Sequence, residues 1–265
     1  MGLYTTALVN VLQTINQYGK VNKSLCMIGR QEILIEWDSF MKIVSKLHLP
    51  YDREVYNDIK DIYPINTYRF FHMFGIKEVH ALDYSLLDGA DILFNLNHEL
   101  PSELCEKYDY IINGGTLEHV FDVAKAMKNM SSMLRLGGVI IHILPLGGYV
   151  DHGFYSFSPT FFMDYYHLNG FRIHHLYMEF MLGDLDTLDN DYKYADFQAI
   201  YSQDCRSFIR ADGDWGGKSI NSYIKQIRGI DKVNHIYIWC IAERVSLKEG
   251  KYPIQSMYEH IEDQK

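Results

Sequence analysis

An α/β fold built on a mainly parallel sheet follows from three observations. First, Lys107 to Pro145 reads as an apolar strand (Tyr108 to Ile112), a tight polar turn (Asn113-Gly114-Gly115-Thr116), a helix (about Leu117 to Leu134), a Gly137-Gly138 turn and a second apolar strand (Val139 to Leu144). That is the strand–helix–strand crossover from which parallel sheets are made. Second, short apolar runs alternate with helix-spaced segments along most of the chain. Third, the 265 residues are 48% hydrophobic, enough for the core of one α/β domain with insertions.

Taken in order, Thr5 to Tyr18 carries Ala7, Leu8, Val11, Leu12 and Ile15 at helical spacing, which predicts an N-terminal helix. Ser24 to Ile28 is a short apolar run ending at Gly29 and reads as the first strand. Trp37 to Leu47 predicts a helix that stops before Pro50. Pro64 to Phe74 predicts another, closed by Gly75. Strands are expected at Glu78 to Leu82, ending on Asp83, and at Asp91 to Leu96, followed by the Tyr108 and Val139 strands. Ser158-Pro159 opens a helix to about Leu168, with proline at the favoured first position. Phe171 to Phe180 and His235 to Val245 complete the strands. The chain is expected to be a single domain over 1–265, with a helical insertion at 31–76 and an Asp-rich insertion or lid at 181–233. No internal repeat or low-complexity segment is visible.

Composition narrows the function. A net charge of −9 and a pI of about 5.7, with basic residues scattered, disfavour a nucleic-acid partner. Cys26, Cys105, Cys205 and Cys240 are widely spaced, so neither a zinc knuckle nor a disulfide framework is indicated. Free thiols point to a reducing, cytoplasmic setting. No secretory signal pattern and no apolar run of the ~18 residues needed for a membrane helix are seen. The opening Met1-Gly2-Leu3-Tyr4-Thr5-Thr6 fits the loose myristoylation pattern, which chance explains. The run Asp184, Asp186, Asp189 and Asp191 reads as solvated lid, and no metal site is expected.

The motif series carries a resemblance. Tyr108-Asp109-Tyr110-Ile111-Ile112, then Leu117-Glu118-His119-Val120, then Leu134-Arg135-Leu136-Gly137-Gly138 resembles the second half of a class I S-adenosylmethionine-dependent methyltransferase. Two longer segments, Gly114-Gly115-Thr116-Leu117-Glu118-His119-Val120-Phe121 and His152-Gly153-Phe154-Tyr155-Ser156-Phe157-Ser158-Pro159, resemble a subgroup associated with bacterial surface-polysaccharide pathways. The resemblance implies a Rossmann-like, doubly wound, mostly parallel seven-stranded sheet whose last strand is antiparallel. It implies S-adenosyl-L-methionine as methyl donor and a small hydroxylated or phosphorylated metabolite, such as a sugar precursor of capsule, as acceptor. The rival reading is a binding or regulatory protein that keeps the fold without the chemistry.

Site residues follow partly from strand ends and partly from the resemblance. Ligands of open α/β sheets collect at the carboxyl ends of strands. The family's glycine-rich loop is here Gly29-Arg30-Gln31-Glu32, with one glycine kept; Gly29 allows close approach, and Arg30 or Gln31 is expected to contact the donor's carboxylate. Asp83, beside Tyr84, stands where the family places the acid that holds the ribose hydroxyls. Asn95-Leu96-Asn97 resembles the adenine-edge segment, and an Asx turn is the plainer reading of Asn-x-Asn. Gly114, Gly115 and Thr116 would floor the sulfonium. His119 and His152 are the candidate proton acceptors, and Tyr149 and Tyr155 candidate acceptor-binding residues. His80, His142, His174, His175 and His235 are expected to serve the sheet or surface. The sequence leaves the acceptor's identity and the oligomeric state open.

Overall fold

A computed structural model describes residues 2–18, 23–87, 89–181, 198–199, 235–248 and 251–255. The chain divides into two compact units, 1–141 and 142–265.

The first unit opens with a three-residue strand β1 (Gly2–Tyr4) and helix α1 (Thr5–Gln17), whose Ala7, Leu8, Val11, Leu12 and Ile15 are buried as their spacing predicts. Strand β2 (Ser24–Ile28) is buried along its whole length. A short β3 (Glu32–Leu34) pairs in parallel with β1, forming a separate two-stranded ribbon. Three helices follow, each started by a side chain that accepts from otherwise unpaired first-turn amides. Glu36 caps α2 (Trp37–Lys46), Asp52 caps α3 (Arg53–Ile59) and Asn66 caps α4 (Thr67–Met73). They share an aromatic core in which Trp37 meets Tyr56 at 5.4 Å and Phe70 meets Phe40 and Phe74 at 5.6 and 5.3 Å. Then come β4 (Glu78–Asp83), a two-residue β5 (Ile92–Leu93), β6 (Tyr108–Gly114), helix α5 (Val123–Met133) and β7 (Leu134–Gly147), which continues into the second unit.

The second unit adds α6 (Pro159–Leu168), β8 (Phe171–Met181), a two-residue β9 (Gln198–Ala199) and β10 (His235–Arg244). Its core holds Phe157, Phe162, Tyr165 and Tyr166, while Phe154 stays 63% exposed.

Strand order is β5-β4-β2-β6-β7-β10-β8-β9. Strand β2 pairs in parallel with β4 on one side and β6 on the other, and β4 with β5. Strand β10 is antiparallel to β8, and β9 is a short antiparallel addition to β8's other edge. This is the doubly wound, Rossmann-like α/β sheet expected, seven strands with the last in sequence reversed, plus the small β9 that the sequence did not announce. The order reverses at β2, so the switch point lies between β2 and β6.

Four local expectations change. The strand expected over Asp91 to Leu96 forms only at Ile92–Leu93. The helix expected over Leu117 to Leu134 is two pieces: a 3₁₀ turn (Leu117–His119), then α5, which restarts because the Asp122 carboxylate accepts from the Lys125 amide at 2.9 Å. Gly137-Gly138 lies inside β7 rather than ahead of it. Helix α4 begins at Thr67, three residues after Pro64, where Asn66 provides the cap. The lid expected at 181–233, with its Asp-rich run, falls outside the described residues except for Met181, Gln198 and Ala199. Among the described residues, no helix is long and apolar enough to cross a membrane.

The amino ends of the central strands are tied by a polar cluster. Asp109 Oδ2 accepts from the Ser24 amide and hydroxyl, each at 3.0 Å, and from Arg135 Nη1 at 3.2 Å.

Candidate functional site at the switch point

At the carboxyl ends of β2, β4 and β6, three residues converge. Gly29 follows β2 with φ of +73°, a left-handed conformation that only glycine adopts without cost. A Cβ there would lie 2.5 Å from Thr116 Oγ1 and 3.8 Å from Asp83 Oδ2. The glycine thus keeps open a cradle between the hydroxyl after β6 and the carboxylate ending β4. Thr116 donates to the Ile28 carbonyl at 2.6 Å, and the Gly29 amide to the Leu82 carbonyl at 2.8 Å. Asp83 Oδ1 accepts from the Ser85 amide at 3.1 Å, which fixes the carboxylate plane and turns Oδ2 toward Gly29. Tyr84 beside it is 75% exposed.

Gln31 is 1% exposed, and its amide nitrogen donates to the carbonyls of Gly29 at 3.1 Å and Gly114 at 2.9 Å. Its Oε1 is buried with no hydrogen bond among the described residues. The Thr67 hydroxyl donates to the Gln31 carbonyl at 2.6 Å, anchoring the loop to α4. Arg30 takes another direction: its guanidinium lies 5.7 Å from the centre of the Tyr68 ring and against Gly89. The Tyr68 hydroxyl donates to the Gly89 carbonyl at 3.1 Å, and burial pushes this phenol up to about 12.

Beside this lies the 95–98 segment. Asn95 Oδ1 accepts from the Asn97 amide at 3.0 Å and from its side chain at 2.8 Å, so the Asx turn forms. Asn97 Oδ1 in turn accepts from the Asp122 amide at 2.8 Å. Buried Asn129 of α5 donates to the carbonyls of Leu96 and His98 at 3.0 and 2.9 Å. The helix that follows β6 thus fixes the segment's backbone. Leu96 is buried and supplies an apolar surface.

Glu118 was noted in the sequence only by position. It is fully buried in the 3₁₀ turn after β6, and burial raises its carboxyl from 4.5 to about 7. Burial of this kind is something a Leu-Glu-His string does not reveal. Its Oε1 lies 3.9 Å from Nε2 of the half-exposed His119.

In the second unit, Tyr149 follows β7, and its ring lies 4.3 Å from His235, 5.2 Å from Tyr237 and 5.3 Å from His152. His152 is exposed, and Tyr155 packs between Phe154 and Phe157, each at 6.3 Å. The sequence singled out Tyr149, His152 and Tyr155; the structure adds His235 and Tyr237 to the Tyr149 group. Three other histidines bond within the framework. His80 meets the Tyr108 hydroxyl at 3.0 Å, His174 meets Glu243 at 3.0 Å, and His142 meets the Tyr166 hydroxyl at 2.5 Å. Complete burial pushes His142 down to about 3, so it is neutral at physiological pH.

No family model matches the chain, and no curated protein matches it. Solved structures do. One is a SAM-dependent methyltransferase from Archaeoglobus fulgidus, 13% identical over 90% of this chain and 94% of that one, with a TM-score of 0.43. Another is an S-adenosylmethionine-dependent methyltransferase from Mesorhizobium loti, 12% identical over 88% and 96%, with a TM-score of 0.40. A third is phosphoethanolamine N-methyltransferase 2 of Haemonchus contortus in complex with S-adenosyl-L-methionine, 14% identical over 89% and 52%, with a TM-score of 0.39. The fold stands here on the strand order itself: a Rossmann-like sheet with its cradle at the β2–β6 switch point.

Proposed function

We propose that the protein is an S-adenosylmethionine-dependent methyltransferase acting on a small hydroxylated or phosphorylated metabolite, in the making of a surface polysaccharide. The observation that carries the reading is the cradle of Gly29, Asp83 and Thr116 at the switch point, which a single Cβ would fill. A carboxylate at the end of the strand beside the first one accepts from two ribose hydroxyls, the logic of nucleotide-binding α/β sheets. Leu96 offers an apolar face and the backbone of 95–97 a polar edge for adenine. When bound, the donor supplies an electrophilic methyl group on a cationic sulfur. The chain's part is to position the acceptor and take its proton. His152 is assigned the acceptor's proton, and His119 the donor side, with Tyr149 and Tyr155 lining the acceptor's approach.

The second reading, a binding protein without transfer chemistry, is favoured by one observation: Gln31 stands in the loop after β2 where the resembled family has glycine. Calorimetry separates the readings. S-adenosylhomocysteine should bind at micromolar level and NAD should not. Saturable NAD binding without S-adenosylhomocysteine binding would sink the donor assignment. Donor binding with no transfer to any sugar or sugar-phosphate acceptor would favour the binding protein.

A further inference from the structure

The Gln31 side chain reaches across the switch point. Its amide nitrogen bridges the carbonyl of Gly29, just after β2, and that of Gly114, the last residue of β6. The carbonyls at this point are the acceptors that a ligand entering the crevice would use. An α-ammonium is a donor-only group that needs oxygen acceptors, and the carboxamide NH₂ presents the same polarity with two N–H bonds. The rest of the side chain is poorly rewarded. Its Oε1 is buried and accepts nothing among the described residues. A Cβ on Gly114 would lie 2.8 Å from that oxygen, so a side chain at 114 would push the amide aside.

We infer that the Gln31 carboxamide is a resident stand-in for the α-ammonium of the donor, and that it turns away before the donor's amino-acid end can bind. The inference rests on the methyl-donor reading of this site. Its consequence is selective: Gln31 opposes ligands that carry the amino-acid end and is indifferent to the adenosine half, which Asp83 and the 95–97 segment receive.

Two ligands report the difference. S-adenosylhomocysteine has the amino-acid end; 5′-methylthioadenosine has the adenosine and the thioether without it. Titration calorimetry of the full chain is run with both, on the wild type and on Gln31→Ala. The expected result is that Gln31→Ala tightens S-adenosylhomocysteine about tenfold, equivalent to ~1.4 kcal/mol, and leaves 5′-methylthioadenosine unchanged. Weaker S-adenosylhomocysteine with unchanged 5′-methylthioadenosine would make Gln31 a direct ligand and overturn the inference. Parallel changes in both ligands, or no change in either, would make Gln31 a support of the loop and overturn it equally. Gln31→Met provides a second variant should the alanine form fold poorly. It keeps a similar length without charge, removes both donated bonds, and is held to the same selective outcome. Failure of both ligands to bind wild type and variants alike would instead remove the methyl-donor reading itself.

Discussion

Replacing Gly29 by alanine tests the cradle most directly. Two costs can be read from the structure. At φ of +73° an L-residue is in the left-handed region, which costs about 1–2 kcal/mol. The new Cβ would also stand 2.5 Å from Thr116 Oγ1, too close to remain. Moving the hydroxyl breaks its bond to the Ile28 carbonyl, now 2.6 Å long, and a typical hydrogen bond contributes about 0.5–1.5 kcal/mol. Gly29→Ala should therefore destabilise the protein by roughly 1.5–3.5 kcal/mol. The two parts separate in a double-mutant cycle, since Thr116→Ala removes the clash and its hydrogen bond but not the backbone strain. In the Thr116→Ala background, Gly29→Ala should cost only the ~1–2 kcal/mol of strain. Urea unfolding, with slopes compared to confirm a common transition, measures all four proteins. A Gly29→Ala cost within about 0.5 kcal/mol of zero, the range of ordinary surface changes, would refute the geometry. Strict additivity in the cycle would refute the contact with Thr116.

Glu118 makes stability depend on pH in a defined direction. Its folded carboxyl titrates near 7 against an ordinary 4.5, so its contribution is full below about 4.5 and lost as pH rises through 7; Glu118→Gln should flatten that fall in urea midpoints, and an unchanged slope would show that another group is responsible. Asp83→Ala should weaken S-adenosylhomocysteine by about tenfold to a few hundredfold, from the loss of one or two bonds to a charged acceptor; unchanged affinity in a folded variant would leave Asp83 as a turn residue holding Ser85. His152→Ala should lower turnover by about 10²–10⁴ with donor affinity unchanged, while His119→Ala should affect both. Near-wild-type turnover of His152→Ala on the true acceptor would remove the base assignment.

The central strands were legible because burial on both faces leaves continuous apolar runs, as in Ser24–Ile28 and Tyr108–Ile112. Gly29, Asp83 and Thr116 end or follow such runs, while the roles given to them came from the family resemblance. Elements carried by few residues were not legible. Strands β1, β3 and β9 are two or three residues long, and α3 buries only Ile59 of its seven. The expected unbroken helix after β6 failed because Phe121 extends the apolar pattern, although it is 70% exposed, while the Asp122 cap sets the real start. At the site, Gln31 and Arg30 looked equivalent as carboxylate partners. The fold turns Gln31 inward between two carbonyls and lays Arg30 across Tyr68.

The ribbon of β1 and β3 has a kinetic consequence. It begins one residue after Gln31, with Glu32 opposite Gly2, while β2 ends one residue before Gly29. With the Thr67 hydroxyl on its carbonyl, Gln31 is held by backbone bonds on both sides. Any movement at this position is consequently a turn about side-chain bonds. Rotations of that kind run far faster than the microsecond-to-millisecond rearrangement of lids and domains. Capture at this loop should thus follow encounter in a single phase, with no slow closing step originating here.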